Sequence, residues 1–149
     1  MTRYHYLTLW YQPTLAESKA APFAVLVESH ADEHREVFGI LKRLPGDSES
    51  VTGQVLANLP EILTDRIYAA AKRTNGLIID VLRSELAWNI YADALETVDR
   101  EHTTLRKVAY GLFAERVDVD RVQLTRLRQQ HIDQPGDSFG TQYVIDLVA

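Results

Sequence analysis

The chain has 149 residues, 46% of them hydrophobic, and a formal net charge of -5 at pH 7; a chain of this length buries roughly 70% of its unfolded surface, so one domain over 1–149 with a complete core is expected. It contains no cysteine, which excludes disulfides, thiolate zinc sites and cysteine nucleophiles and fits a cytoplasmic protein. The acidic balance excludes a global basic footprint for nucleic acid, and no stretch approaches the roughly 20 apolar residues of a membrane span.

The first element runs from Arg3 to Tyr11, where Tyr4, Tyr6, Thr8 and Trp10 alternate with His5, Leu7, Leu9 and Tyr11. A period of two filled with aromatic and β-favouring residues predicts a strand. Pro13 closes it, and the polar stretch from Thr14 to Ala21 is expected to be a loop. Two apolar blocks follow, Phe23 to Glu28 and Arg35 to Leu44, separated by a polar tip. They predict the arms of a β-hairpin, giving the first 44 residues the form of a three-stranded antiparallel meander.

The tip itself, His30-Ala31-Asp32-Glu33-His34, matches H-x-x-E-H letter for letter. In that motif two histidines one helical turn apart hold zinc while the glutamate works the bound water. The zinc geometry requires a helix, whereas the flanking Val, Phe, Ile and Leu come in strand-length blocks. The hairpin reading is therefore favoured, with no metal bound, and His30, Glu33 and His34 remain the alternative as a zinc hydrolase site.

Pro45-Gly46-Asp47-Ser48 is a turn signal, repeated as Pro135-Gly136-Asp137-Ser138. Neither Gly-Asp-Ser has the activating base or the G-x-S-x-G elbow that a serine nucleophile needs. Between the two turns the period becomes helical. Pro60 lies in the first turn of a helix to Thr74, with Leu63, Ile67, Ala70 and Ala71 on one stripe and Asn75-Gly76 as its stop. Val51 to Leu59 is ambiguous between helix and strand.

From Leu77 to Val98 the residues Leu82, Leu86, Ile90 and Ala94 recur every fourth position, which predicts a long central helix. Leu105, Val108, Ala109, Leu112 and Phe113 predict another from about Arg100 to Arg116. Asp118 is suited to cap a last helix running to Gln130, whose exposed side would carry Arg121, Arg126 and Arg128. The segment from Arg100 to His131 holds seven basic and four acidic residues, a local excess of three positive charges that could form a contact surface. Asp99 and His102, at its start, share helical spacing beside Glu96 and Glu101, but no second carboxylate-histidine pair accompanies them as a di-metal bundle would require. Thr141 to Val148 alternates Tyr143, Ile145 and Leu147 and predicts a closing strand. Strands first, helices next and a last strand imply an α+β fold, a small antiparallel sheet with one face under about four helices.

The stretch from Val55 to Gly76, VLANLPEILTDRIYAAAKRTNG, resembles the first half of a ribbon-helix-helix repressor. A short strand leading into Leu-Pro-Glu, a helix, a Lys-Arg-Thr end and a Gly turn carry the likeness, which implies a dimer whose paired strands enter the DNA major groove. The alternating positions Gln54, Leu56 and Asn58, or Val55, Ala57 and Leu59, contain no arginine or lysine to read bases.

No phosphate-cradling glycine motif is present, and neither a cofactor nor catalysis is expected. The leading expectation is a cytoplasmic accessory protein that binds a protein partner or itself, most simply as a homodimer. Its interface residues would be the aromatic strand's Tyr4, Tyr6, Trp10 and Tyr11 or an exposed sheet edge. The alternative is a nucleic-acid-binding, antitoxin-like regulator using Arg121, Arg126 and Arg128.

Overall fold

The computed structural model describes residues 2–12, 20–31, 34–44, 54–55, 57–87, 89–118, 122 and 143–148. Six strands and three helices are placed among these residues. Strands β1 (Thr2–Tyr11), β2 (Ala21–Ala31) and β3 (His34–Lys42) are followed by helices α1 (Leu59–Arg73) and α2 (Ile78–Arg83). Then come β4 (Ile90–Ala92), β5 (Glu96–Arg100), α3 (Leu105–Arg116) and β6 (Tyr143–Val148). The α+β class is as the strand and helix periods imply.

The expected meander forms: β1, β2 and β3 pair antiparallel, with Leu7 opposite Leu26 and Val27 opposite Phe38. It is the centre of a wider sheet. Both β4 and β5 pair with β1, one at each end, while β6 lies beside β3 on the far side. The β3–β6 pair is parallel, so the sheet is mixed and the expectation of a wholly antiparallel one is corrected.

Both faces of this sheet are covered, which also corrects the expectation of one buried face. Side chains alternate across a strand. Leu7 and Leu9 thus join Leu26, Val37 and Leu41 in a core closed by Leu63, Ile67 and Ala70 of α1 and Ile78, Ile79 and Leu82 of α2. On the other face Tyr4 and Tyr6 join Val25, Val27, Phe38 and Ile40 under Val108, Ala109, Leu112 and Phe113 of α3. Double coverage explains why β2 and β3 read as almost unbroken apolar runs and not as alternating ones.

The long helix expected from Leu77 to Val98 does not form. It stops at Arg83, the Ser84 hydroxyl donates to the Val81 carbonyl, and Asn89 takes a positive φ of 63°. Asparagine tolerates that left-handed conformation, and it ends any helical run. Two strands replace the helix because the free edge of β1 offers ladder bonds to Ile90–Ala92 and Glu96–Arg100. Three of the period-four set still reach one core, Leu82 and Ile90 buried in it and Leu86 partly buried against it, while Ala94 is exposed. Apolar spacing located the burial, and tertiary pairing decided the backbone.

For the same reason the next helix starts at Leu105 and not near Arg100. Its cap is Thr104, whose hydroxyl accepts from the Lys107 backbone N–H at 3.3 Å. Helix α1 begins and ends close to expectation, with Pro60 in its first turn and Asn75-Gly76 beyond its end. Gln54, Val55 and Ala57 are helical, so the approach to α1 is not the strand that a ribbon-helix-helix arrangement requires.

Three helices stand among the described residues where about four are expected. Of the last expected helix only Asp118 and the helical Val122 are described; Arg121, Arg126 and Arg128, both Pro-Gly-Asp-Ser turns, Pro13 and most of its loop lie outside the described residues. No helix among the described residues is long and apolar enough to cross a membrane.

Candidate functional site

The α1-side core ends in a row of ionisable side chains. His5 of β1 stands opposite Glu28 of β2, the next pair on this face of the sheet after Leu7 and Leu26. Further out, His30 pairs with Arg35 of β3, and Arg3 pairs with Asp99 of β5.

Glu28 is 0% exposed. A carboxylate in that position is strongly disfavoured unless its oxygens are satisfied. It accepts from the backbone N–H groups of Ile78 at 3.0 Å and Ile79 at 2.9 Å. The residue before this helix, Leu77, supplies no side-chain cap, so the sheet provides the anion that a helix start favours. Glu28 also accepts from His30 Nε2 at 2.6 Å. An ionised carboxylate only accepts, so in this contact Nε2 is the donor.

His5 completes the cluster. Its ring centroid lies 6.4 Å from that of His30, and its Nδ1 is buried without a hydrogen-bond partner. Burial and then the neighbouring His30 hold its pKa below the ordinary histidine range, while Glu28 pulls the other way. At neutral pH His5 is uncharged.

Arg35 works at the other end of the same corner. Its guanidinium donates to the carbonyls of Ala71 at 3.0 Å, Thr74 at 2.6 Å and Gly76 at 3.0 Å, the unpaired carbonyls where α1 ends. The turn between α1 and α2 is therefore held by a cation at the end of one helix and an anion at the start of the next, both from the sheet.

The expected interface residues are placed differently from one another. Tyr4 and Tyr6 are 4% and 7% exposed, with their rings in the α3-side core. Arg116 of α3 lies over the Tyr6 ring at 5.1 Å and donates to the Tyr6 hydroxyl and to Thr8 Oγ1. Trp10 and Tyr11 are half-buried; Trp10 Nε1 donates to Asp93 at 2.8 Å, and Tyr11 meets Phe23 edge-on at 6.5 Å.

His30 and His34 lie on two antiparallel strands, Ala31 pairing with His34, and not one turn apart on a helix. Glu33 and the side chain of His34 are outside the described residues. Asp99 binds Arg3 from β5 and His102 follows in an exposed bend, so these two share no helix face. Among the described residues, no three histidine or carboxylate side chains are gathered to hold a metal ion.

Sequence reasoning missed Glu28, His5 and Arg35. Two signals pointed to the first: a single acid ending the apolar run Phe23 to Val27, and a helix opening on Leu77-Ile78-Ile79 with no capping residue. Chemically the cluster joins a buried orienting carboxylate to a partly exposed imidazole, with a second imidazole close by. Comparison with protein-family models, with curated proteins and with solved structures found no match to this chain.

Proposed function

We propose that this chain is a small cytoplasmic accessory protein without catalysis of its own, which binds another protein by strand addition at β6, with a second copy of itself as the favoured partner. The observation that supports this reading is the difference between the two sheet edges. At one, β1 is covered by three-residue β4 and five-residue β5, interrupted at 93–95, and β5 exposes Glu96, Asp99 and Arg100. Short, broken and charged strands discourage further pairing.

At the other edge, β6 pairs with β3 along one side, and among the described residues nothing pairs with its outer side. Its sequence, Tyr-Val-Ile-Asp-Leu-Val, carries one charge in six residues. Backbone N–H and C=O groups along such an edge recruit a further strand.

Sedimentation at micromolar concentration is expected to give a mass near twice 16.9 kDa. Proline at two adjacent positions, Val144→Pro and Ile145→Pro, gives an internal control because successive amides point to opposite sides of a strand. One variant should lose the dimer and keep its thermal midpoint, while the other loses a β3 ladder bond and melts earlier. A persistent monomer that binds duplex DNA with steep salt dependence would instead support the regulator reading, since phosphate recognition weakens as salt rises.

A further inference from the structure

The ionisable row over α2 contains more titratable groups than helix capping requires. Glu28 alone satisfies the first amides of α2. His5, directly opposite it, makes no hydrogen bond at its buried Nδ1 and stands in the same small space as His30. We propose that His5, His30 and Glu28 form a proton-operated latch, which holds the start of α2 on the sheet while at most one imidazole is charged and releases it when both are.

The first proton is well accommodated. On His30 it turns the existing 2.6 Å contact with Glu28 into a charge-assisted bond, which is stronger than the neutral one. The second has no such place. On His5 it creates a buried Nδ1–H with no acceptor and sets two imidazolium rings 6.4 Å apart.

The surrounding charges do not relieve this. Arg3 of β1 adds a positive charge and Asp99 of β5 a negative one, but these two already bind each other at 3.0 Å. Arg35 of β3 is a further cation, directed at the α1 carbonyls. On α2 itself Asp80 and Arg83 are exposed and paired at 2.9 Å. Glu28 is then the anion left facing two imidazolium rings.

Lifting α2 hydrates the cluster, against the cost of uncovering Ile78, Ile79 and Leu82, each 0% exposed. The helix has six residues and no side-chain cap of its own, and Glu28 makes the bonds at its first turn. Short elements with few anchoring bonds open below the free energy of global unfolding. Proton uptake by His5 depends on that opening and therefore drives it.

Amide hydrogen exchange, corrected for the intrinsic pH dependence of exchange, tests the latch. Between about pH 7.5 and pH 5, protection of the Ile78 and Ile79 amides is expected to fall about tenfold or more, the equivalent of one pKa unit of coupling, while Leu26 and Ile40 stay protected. His5→Gln and His5→Phe should both flatten the response. Unchanged protection in the wild type, an equal loss throughout the sheet, or the same loss in both His5 variants would overturn the proposal. Should neither variant fold, the wild-type imidazole resonances decide: a His5 titration coincident with loss of Ile78 protection supports the latch, and titration without that loss refutes it.

Discussion

Glu28 is where a single side chain has the greatest leverage on this fold. Its oxygens serve two helix amides and one imidazole, so Glu28→Gln leaves one amide without an acceptor and sets an NH2 group against donors. Loss of about 2 to 5 kcal/mol is expected from breaking a buried, fully bonded charge, measured as a shift of the urea midpoint. His5 contributes through pH. Its folded pKa lies below the unfolded value, chiefly because of burial, so the unfolded chain takes up a proton first as pH drops. Stability should be level above about pH 7, decline as pH falls through the unfolded value near 6.5, and level off below the folded value. Chemical denaturation of His5→Gln at several pH values should show a shallower decline over that window. The sequence marked Glu28 as an acid ending an apolar run but not its partners, because His5 and Glu28 meet only through strand register and Ile78 lies fifty residues from its cap.

Elements set by local chemistry were legible, and elements set by competition for sheet edges were not. Helix α1 carries its own punctuation in Pro60 and Asn75-Gly76, and β1 carries a period of two in aromatic and β-branched residues. The stretch from Leu77 to Val98 has a helical apolar period as well, yet Asn89 leaves the helical region and β1 captures the rest. Periodicity favours certain side chains for burial, and a different backbone buries most of them here: Leu82, Leu86 and Ile90 reach one core, while Ala94 is exposed and Val98 packs on the other. The consequence is measurable at Leu86. Had it stood fully buried in a central helix, Leu86→Ala would cost about 2 to 5 kcal/mol; half-buried beyond the end of α2, it should cost about 1 to 2. Leu82→Ala, at a fully buried helical site, should reach the larger range, and equal midpoints for the two variants would contradict the observed break.

At the scale of the molecule, β2 and β3 belong to two cores at once. Leu26 and Val37 face α1 and α2, while Val27 and Phe38, their immediate neighbours in the chain, face α3. Helices on both sides of a shared sheet cannot be lost independently without exposing one apolar face of the central strands, roughly 25 cal/mol for each Å². The cores should therefore unfold together, apart from the small α2 opening. Leu63→Ala on one side and Phe113→Ala on the other each remove a fully buried side chain and are expected to cost about 2 to 5 kcal/mol. Each should move one common transition, with far-ultraviolet circular dichroism and tryptophan fluorescence giving the same midpoint. The double variant should lose close to the sum of the two, because the side chains lie on opposite faces and share no contact partner in either core. Separate midpoints for the two probes in either variant would show that the α3 layer and the α1–α2 layer are distinct cooperative units, with β2 and β3 remaining folded under only one of them.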